Sequence, residues 1–216
     1  MKKISVNVYE YDELEKEIQD KLYNEEIECE KDFYCETMLY NDMEDKASDL
    51  LREYFNNDNG LERVFYDLSY CQGSGSMIEF TINIKDLNNK YHILTDEELR
   101  LIKDYDIIEN INVRHYGNYY HEYSFKIDYD DNFCCYCGND SDIVSKIEDK
   151  IINLCDTYNI HNTDSQFITD IISMNKDLTK YGYDLLENED NFKEGVISNL
   201  KEKLYLKNGE VFDRID

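Results

Sequence analysis

A run of cysteines near residue 135 is the densest group of side chains that could do chemistry. Cys134, Cys135 and Cys137 lie close together, and Cys155 or His161 would complete four ligands of the kind that hold zinc. Structural zinc sites usually carry two pairs of cysteines, each separated by two to four residues, and this chain does not have two such pairs. The spacing favours free thiols in a polar loop, and we predict neither a metal nor any other cofactor.

Two histidines form the second candidate site. His115 and His121 fall on one face if a three-residue loop at 116–118 joins two strands, and such a pair could bind a metal ion or transfer protons. No cysteine nucleophile or acid pair can be assigned to them from the sequence, so we favour hydrogen-bonded histidines in a core or cleft. A metal-dependent enzyme that uses this pair or the Cys134–Cys137 cluster stays open as an alternative to a non-enzymatic protein.

A glycine-rich segment, CQGSGS at 71–76, forms the third candidate. Such a loop can hold a phosphate with its backbone amides. Phosphate loops connect a strand to a helix and usually include a lysine, whereas here strand patterns lie on both sides. We therefore predict a structural turn through Gln72, Gly73 and Gly75, in which glycine supplies positive φ.

Acidic side chains outnumber all other candidates. The 216 residues include 49 Asp and Glu against 23 Lys and Arg, which gives a formal net charge of −26. Phosphate binding needs a basic surface, so this charge argues against nucleic acid as a direct partner and favours a basic protein surface. The segment Asp128-Tyr129-Asp130-Asp131 would hold Ca²⁺ or Mg²⁺ only weakly, because it lacks the glycine and terminal glutamate of an EF-hand loop.

Two N-terminal helices carry the densest acid, since residues 1–60 hold 18 Asp and Glu against 7 Lys and Arg. Carboxylates about one helical turn apart can imitate the charge of phosphates, and long-range attraction would speed association. We predict a partner-binding surface on these helices and on the acidic stretch at 128–142. Its residues are Glu13, Glu17, Asp20, Glu25, Glu26, Glu28, Glu36, Asp42, Asp45, Asp49, Asp128, Asp130 and Asp131.

Hydrophobic periodicity indicates the elements that position these residues. In one predicted helix the apolar face includes Phe33, Tyr40 and Leu51. Thr95 and Glu98 would form a capping box at the start of another. Apolar residues every three or four positions predict helices near residues 11–23, 32–56, 95–102, 143–158, 164–180 and 189–203.

Alternation with a period of two predicts hairpins. Tyr70 is expected opposite Ile78, and His115 opposite Tyr119, because these registers gather the apolar residues on one side. The result is an α+β fold, in which an antiparallel sheet built from hairpins packs against amphipathic helices. No linker interrupts the order, so we predict a single domain over residues 1–216.

The last residues predict one further hairpin, a short one at the C-terminus. The dipeptide Asn208-Gly209 is the strongest short hairpin signal in the chain, and it would pair Tyr205 with Phe212. This hairpin completes the predicted fold.

The start of the chain and its thiols predict a cellular location. The opening MKKISVNVYE turns acidic at once, unlike a signal peptide, and no run approaches the roughly 18 apolar residues of a membrane helix. Seven cysteines are an odd number. We expect reduced thiols in a cytoplasm and no membrane partner.

The segment YDLSYCQGSGSMIEF at 66–80 resembles the S-x-x-Q-G-D-G-A-x-F signature of a family of small acidic proteins from phages and prophages. The helix start Tyr11-Asp12-Glu13-Leu14, the segment YYHEYSFKIDYDDNF and the terminal NGEVF are similar to other parts of that pattern. Ser74 and Ser76 stand where the family has Asp and Ala. The resemblance implies phage or prophage origin and a role in the contest with the host.

Charge and resemblance together predict a non-enzymatic acidic binding protein. It would inhibit a host defence system, as anti-CRISPR or anti-restriction proteins do, by occupying a basic nucleic-acid-binding surface in the host cytoplasm. The alternative is a phage accessory or antitoxin-like interaction protein whose acid is only a solvated surface.

Overall fold

The computed structural model describes residues 6–129, 141–157, 160 and 163–212. They group into two compact units, each described by itself below. The terminal unit comprises Met1–Tyr40 with Asp184–Asp216, and the central unit comprises Asn41–Tyr183. The single domain expected from the sequence stays a prediction.

The terminal unit is built from α1 (Lys16–Thr37), α7 (Asp190–Lys201) and a C-terminal hairpin. Tyr9 and Tyr205 exchange two backbone hydrogen bonds of 2.9 Å, which tie the N-terminal segment to the hairpin. The unit has a small core. Its buried residues are Tyr11, Leu14, Ile27, Phe192, Val196, Leu200 and Tyr205.

The C-terminal hairpin is present, but its predicted register is wrong by one residue. Tyr205 pairs with Val211 rather than with Phe212. The Leu206 amide donates to the Glu210 carbonyl at 2.8 Å, so the loop has three residues, 207–209. Gly209 adopts a φ of 87° in this loop, a conformation that favours glycine.

The central unit contains one antiparallel sheet in which consecutive strands are neighbours. The predicted α+β fold, with a sheet of hairpin-connected strands and amphipathic helices, is therefore confirmed. The strands are β1 (Leu61–Asp67), β2 (Gly75–Asn83), β3 (Asn110–His115) and β4 (Phe125–Tyr129). The remaining helices are α2 (Leu39–Phe55), α3 (Ile84–Tyr91), α4 (Asp96–Tyr105), α5 (Ser141–Cys155) and α6 (Gln166–Glu187).

One face of the sheet is apolar, and α2 and α6 cover it. Phe55 of α2 stacks on Phe80 of β2 with ring centroids 5.2 Å apart, and Phe167 of α6 meets Phe55 edge-on at 5.8 Å. Asn175 of α6 is fully buried, and its side-chain oxygen accepts a hydrogen bond from the Ile78 amide at 3.1 Å. This polar contact holds α6 in one position along β2.

Both predicted hairpin registers in the central unit are wrong. Val64 lies opposite Ile78, and His115 lies opposite Phe125. The first connecting loop, 68–74, lies three residues earlier than predicted, and the second, 116–124, has nine residues instead of the predicted three. Each loop closes through its own hydrogen bonds. The Ser74 amide donates to the Cys71 carbonyl at 3.0 Å, and the Tyr116 amide donates to the Ser124 carbonyl at 2.9 Å.

The N-terminal helices also differ from the expected ones. A continuous α1 replaces the predicted boundaries at 23 and 32, and the chain leaves the helix only at Met38. Phe33 and Tyr40, expected on a core face, are 59% and 43% exposed. The helix α3 was not predicted at all.

The capping box at the start of α4 is confirmed. The Glu98 amide donates to the Thr95 hydroxyl at 3.3 Å, and the Thr95 amide donates to the Glu98 carboxylate at 2.8 Å. Both partners lie within one helical turn, which is why the sequence alone reveals this feature.

Candidate functional site

The exposed side of α1 carries a row of carboxylates. Glu25, Glu28, Asp32 and Glu36 follow one another at intervals of three and four residues, so they lie along one side of the helix. At a rise of about 1.5 Å per residue the row is about 16 Å long. All four side chains are exposed. We call these four residues the α1 acidic row.

Only half of the α1 acidic row is paired with cations. Lys21 lies 3.6 Å from Glu25, and Lys31 lies 3.6 Å from Glu28. Exposed pairs of this kind contribute about 0–1 kcal/mol, so a competing basic surface can displace them readily. Asp32 and Glu36 make no ion pair with any described residue.

Three other predicted binding residues of the terminal unit, Glu13, Asp20 and Glu26, have partners within the chain. Glu13 accepts a hydrogen bond from the Glu10 amide at 2.9 Å, and Asp20 pairs with Lys16 at 2.8 Å. Glu26 is largely buried and accepts from Lys203 at 2.9 Å, a bond that raises the pKa of Lys203. Glu17 stays exposed at the start of α1.

A second acidic face lies on α2 in the central unit. Asp42, Asp45 and Asp49 have helical spacing that places them on one side, next to Tyr181 of α6. Burial and then the negative charge of these three carboxylates raise the pKa of the Tyr181 hydroxyl. Arg52 lies 3.2 Å from Asp49. The structure therefore brings these three predicted residues together, and they make this side of α2 negatively charged.

Of the predicted third acidic stretch, 128–142, the structure describes residues 128–129 and 141–142. Asp128 lies on β4 and pairs with Lys126 at 2.7 Å. Asp130 and Asp131 lie outside the described residues, and so does the Cys134–Cys137 cluster. Within the described ranges, no group of three or more His, Cys, Asp or Glu side chains is placed to hold a metal ion.

Sequence reasoning missed one member of the α1 acidic row. Asp32 was assigned to the start of a separate helix, because apolar residues are sparse between residues 24 and 31. Its spacing of four residues from both Glu28 and Glu36 is the signal that a continuous helix would have revealed.

The two loops 68–74 and 116–124, which we call the loop cluster, pack against each other at one end of the sheet. The Tyr119 ring lies against Gly73, where a Cβ atom would come within 2.4 Å of Tyr119 Cδ1. Gly73 also has a φ of 95°, so the position requires glycine for two reasons. Gln72 is exposed, and Gly75 begins β2 close to the backbone of His121.

His121 lies in the loop cluster and His115 is the last residue of β3, and each is hydrogen-bonded to a different backbone group. The His115 ring stacks on Phe65 at 4.7 Å, and its Nε2 lies 3.0 Å from the Tyr119 carbonyl oxygen. His121 Nδ1 accepts a hydrogen bond from the Tyr123 amide at 3.1 Å. The predicted pairing that placed both on one hairpin face is wrong, because His121 belongs to the loop rather than to β4.

The described thiols differ strongly in environment. Cys71 is exposed, and hydrogen bonds with the hydroxyl groups of Ser69 and Ser74 lower its pKa. Cys155 is buried in α5, and burial raises its pKa to about 12. Together with Cys29 and Cys35, both are free thiols.

No protein-family model, curated protein or solved structure matches this chain. The similarity to the phage and prophage family therefore stays a prediction that rests on the quoted motifs. In the described part of the chain, no helix combines the length and the apolar character needed to cross a bilayer.

Proposed function

We propose that this chain is a non-enzymatic binding protein that docks its acidic helical faces on a basic, nucleic-acid-binding surface of another protein. The α1 acidic row carries the proposal. It presents four exposed carboxylates in line, two of them without an ion pair among the described residues. The resemblance to phage proteins leads us to place the partner in a host defence system of the bacterial cytoplasm.

The spacing of the row favours electrostatic attraction over a faithful copy of nucleic acid. Four carboxylates over about 16 Å give one charge per about 5 Å of helix, whereas each strand of B-DNA carries one phosphate per about 3.4 Å. The row is more dilute than a phosphate backbone. Its contribution is therefore the long-range steering and charge complementarity that make association fast and salt-dependent.

The proposal is tested by affinity capture from a nuclease-treated bacterial lysate. A variant neutralises the row through Glu25→Gln, Glu28→Gln, Asp32→Asn and Glu36→Gln. We expect the native chain to recover nucleic-acid-binding proteins at about 0.05 M salt and to lose most of them at about 0.5 M, where charges are screened beyond about 4 Å. The variant should recover much less at about 0.05 M salt and about as little as the native chain at about 0.5 M.

A matched control removes the same number of charges elsewhere in the terminal unit. The exposed residues Glu189, Glu194, Glu202 and Glu210, each changed to Gln, give the same net charge as the row variant. We expect this control to bind almost as the native chain does. The proposal fails if the native chain recovers no nucleic-acid-binding protein at low salt, or if both variants bind equally.

A further inference from the structure

The loop cluster differs in composition from the rest of the chain. Its sixteen residues, LSYCQGS and YGNYYHEYS, include five tyrosines and a single charged residue, Glu122, in a chain of which 33% is charged. Tyrosine, serine, glycine and asparagine also dominate antibody binding loops. There tyrosine supplies rigid contact area at a low entropic cost, and the small residues adapt the hydrogen bonding.

Hydrogen bonds and packing hold both loops in place. The Ser124 amide donates to the His121 carbonyl at 2.9 Å, and the buried Asn175 donates to the Glu122 carbonyl at 3.4 Å. The second loop is thus attached to α6. A surface with this degree of order loses little conformational entropy when it binds.

Two rings at this end of the sheet already receive cations from within the chain. Arg63 lies 5.6 Å from the Phe65 ring centroid, and Lys176 lies 5.5 Å from that of Tyr123. Tyr116 and Tyr119 extend further into solvent, with 67% and 58% of their surface exposed. No Lys or Arg of the described residues lies over either of these two rings.

We propose that the loop cluster is a second interaction surface, in which the rings of Tyr116 and Tyr119 receive arginine side chains of a basic protein. The proposal rests on the proposed function for the basic character of the partner. A net charge of −26 attracts such a surface, and the loop cluster offers cation–π contacts at a place with almost no charge of its own. Arginine fits better than lysine because its guanidinium is planar, stacks on rings and is more weakly hydrated.

A short peptide is the probe that tests arginine recognition. The full chain with ¹³C-labelled tyrosine rings is titrated with Gly-Arg-Gly-Arg-Gly-Arg-Gly amide, and separately with the lysine counterpart. About 0.5 M salt limits simple charge attraction to about 4 Å. We expect the ring signals of Tyr116 and Tyr119 to shift most, and the arginine peptide to bind about threefold or more tightly than the lysine peptide.

Leucine and phenylalanine substitutions distinguish the contribution of the aromatic rings to binding from that of their apolar volume. Tyr116→Leu/Tyr119→Leu should weaken binding of the arginine peptide about fivefold to tenfold, while Tyr116→Phe/Tyr119→Phe should preserve it, because the phenylalanine ring also attracts cations. The control Phe33→Leu/Tyr40→Leu removes two exposed rings outside the loop cluster and should bind normally. Since Tyr119 packs on Gly73, Tyr116→Leu alone serves if the double variant alters the fold, with about a twofold loss expected.

Three results would overturn the inference. They are equal binding by the leucine and native chains, ring shifts confined to other tyrosines, and tight binding of an oligothymidylate through Tyr116 and Tyr119. The variant that neutralises the α1 acidic row should still bind the arginine peptide at this salt concentration. Its behaviour in lysate capture reports on the proposed function alone, so the two ideas can fail separately.

Discussion

Two helices of equal length show how differently the two units use their sequence. Both α1 and α6 have 22 residues, yet α1 buries only Ile27 whereas α6 buries eight residues. The α6 helix is constrained by packing on almost every turn. The α1 helix is anchored at few points, which leaves its outer side available for charge. Functional surface is thus to be sought on the helix with the smaller core contribution.

The two units also differ in their density of charge and in the size of their cores. The terminal unit has 21 acidic and 10 basic side chains in 73 residues, whereas the central unit has 28 and 13 in 143. The more strongly charged unit has the smaller core and uses polar ties, including the Lys203–Glu26 ion pair and a 2.9 Å hydrogen bond from the Tyr205 hydroxyl to Leu200. Its stability should therefore respond more to charge and salt, and that of the central unit more to packing.

The largest effect is expected from emptying the core of the central unit. Phe80→Ala removes a fully buried ring that stacks on Phe55, and it should lower the free energy of unfolding by about 3–5 kcal/mol. Urea denaturation followed by circular dichroism measures the change. The exposed Phe33→Ala should change it by less than about 0.5 kcal/mol. Equal losses of unfolding free energy in the two variants would contradict the larger role of packing in the central unit.

A smaller loss is expected at the polar contact between α6 and β2. Asn175→Ala leaves the Ile78 amide without its side-chain acceptor in a buried place, at a cost of about 1–3 kcal/mol. Hydrogen exchange should show faster opening of β2 and α6 amides, with α7 amides unchanged. Loss of protection in α7 to the same extent would mean that the two units unfold together.

A carboxylate of the central unit should make stability depend on pH. Burial alone would raise the pKa of Asp170, but hydrogen bonds from Lys90 at 2.5 Å, Tyr91 at 2.7 Å and Gln166 at 2.7 Å outweigh it and lower the pKa. A lowered pKa stabilises the fold above the unfolded value of about 3.9, and this contribution is lost as pH falls through the folded value.

Asp170→Asn should therefore destabilise the chain by about 1.5 kcal/mol at pH 7, with the difference shrinking below about pH 4. Thermal unfolding across this pH range measures it. The exposed Asp184→Asn serves as the control and should change stability at pH 7 by less than about 0.5 kcal/mol. A difference that persists unchanged at pH 2 would rule out the ionised carboxylate as the cause.

The smallest effect should be a gain in the terminal unit. Asp32→Asn/Glu36→Gln removes two like charges one turn apart near the C-terminal end of α1, which should stabilise this helix by about 0.2–0.5 kcal/mol. Hydrogen exchange of α1 amides at about 0.01 M salt should slow, and the gain should fade at about 0.15 M as screening shortens to about 8 Å. Glu25→Gln/Glu28→Gln, which removes paired carboxylates, should give no gain.

Structural features that depend only on residues close together in the sequence could be predicted. The Thr95–Glu98 capping box and the periodicity of α5, α6 and α7 are local, and the structure has them near the expected positions. Hairpin registers depend on distant partners. The sequence placed the loops by their glycines alone, whereas strand positions also depend on partners far away in the chain, such as Asn175 of α6 for the Ile78 amide.

The candidate site was also predictable only in part from the sequence. Composition was sufficient to predict that α1 would carry exposed acid. It could not show which carboxylates form ion pairs within the chain, because such partners can be distant in sequence. The partner of Glu26 is Lys203, 177 residues away. The exposure of Phe33 also escaped prediction, since an apolar residue at helical spacing normally indicates a core face.

The outer strands of the described sheet affect how copies of the chain behave toward one another. β1 has a register irregularity between Leu61 and Arg63, and β4 has only five residues, with Lys126 and Asp128 exposed. Irregular, short and charged edges are poor templates for strand addition by another molecule. With mutual repulsion between copies of charge −26, this should let the chain accumulate to high concentration without growing into fibres.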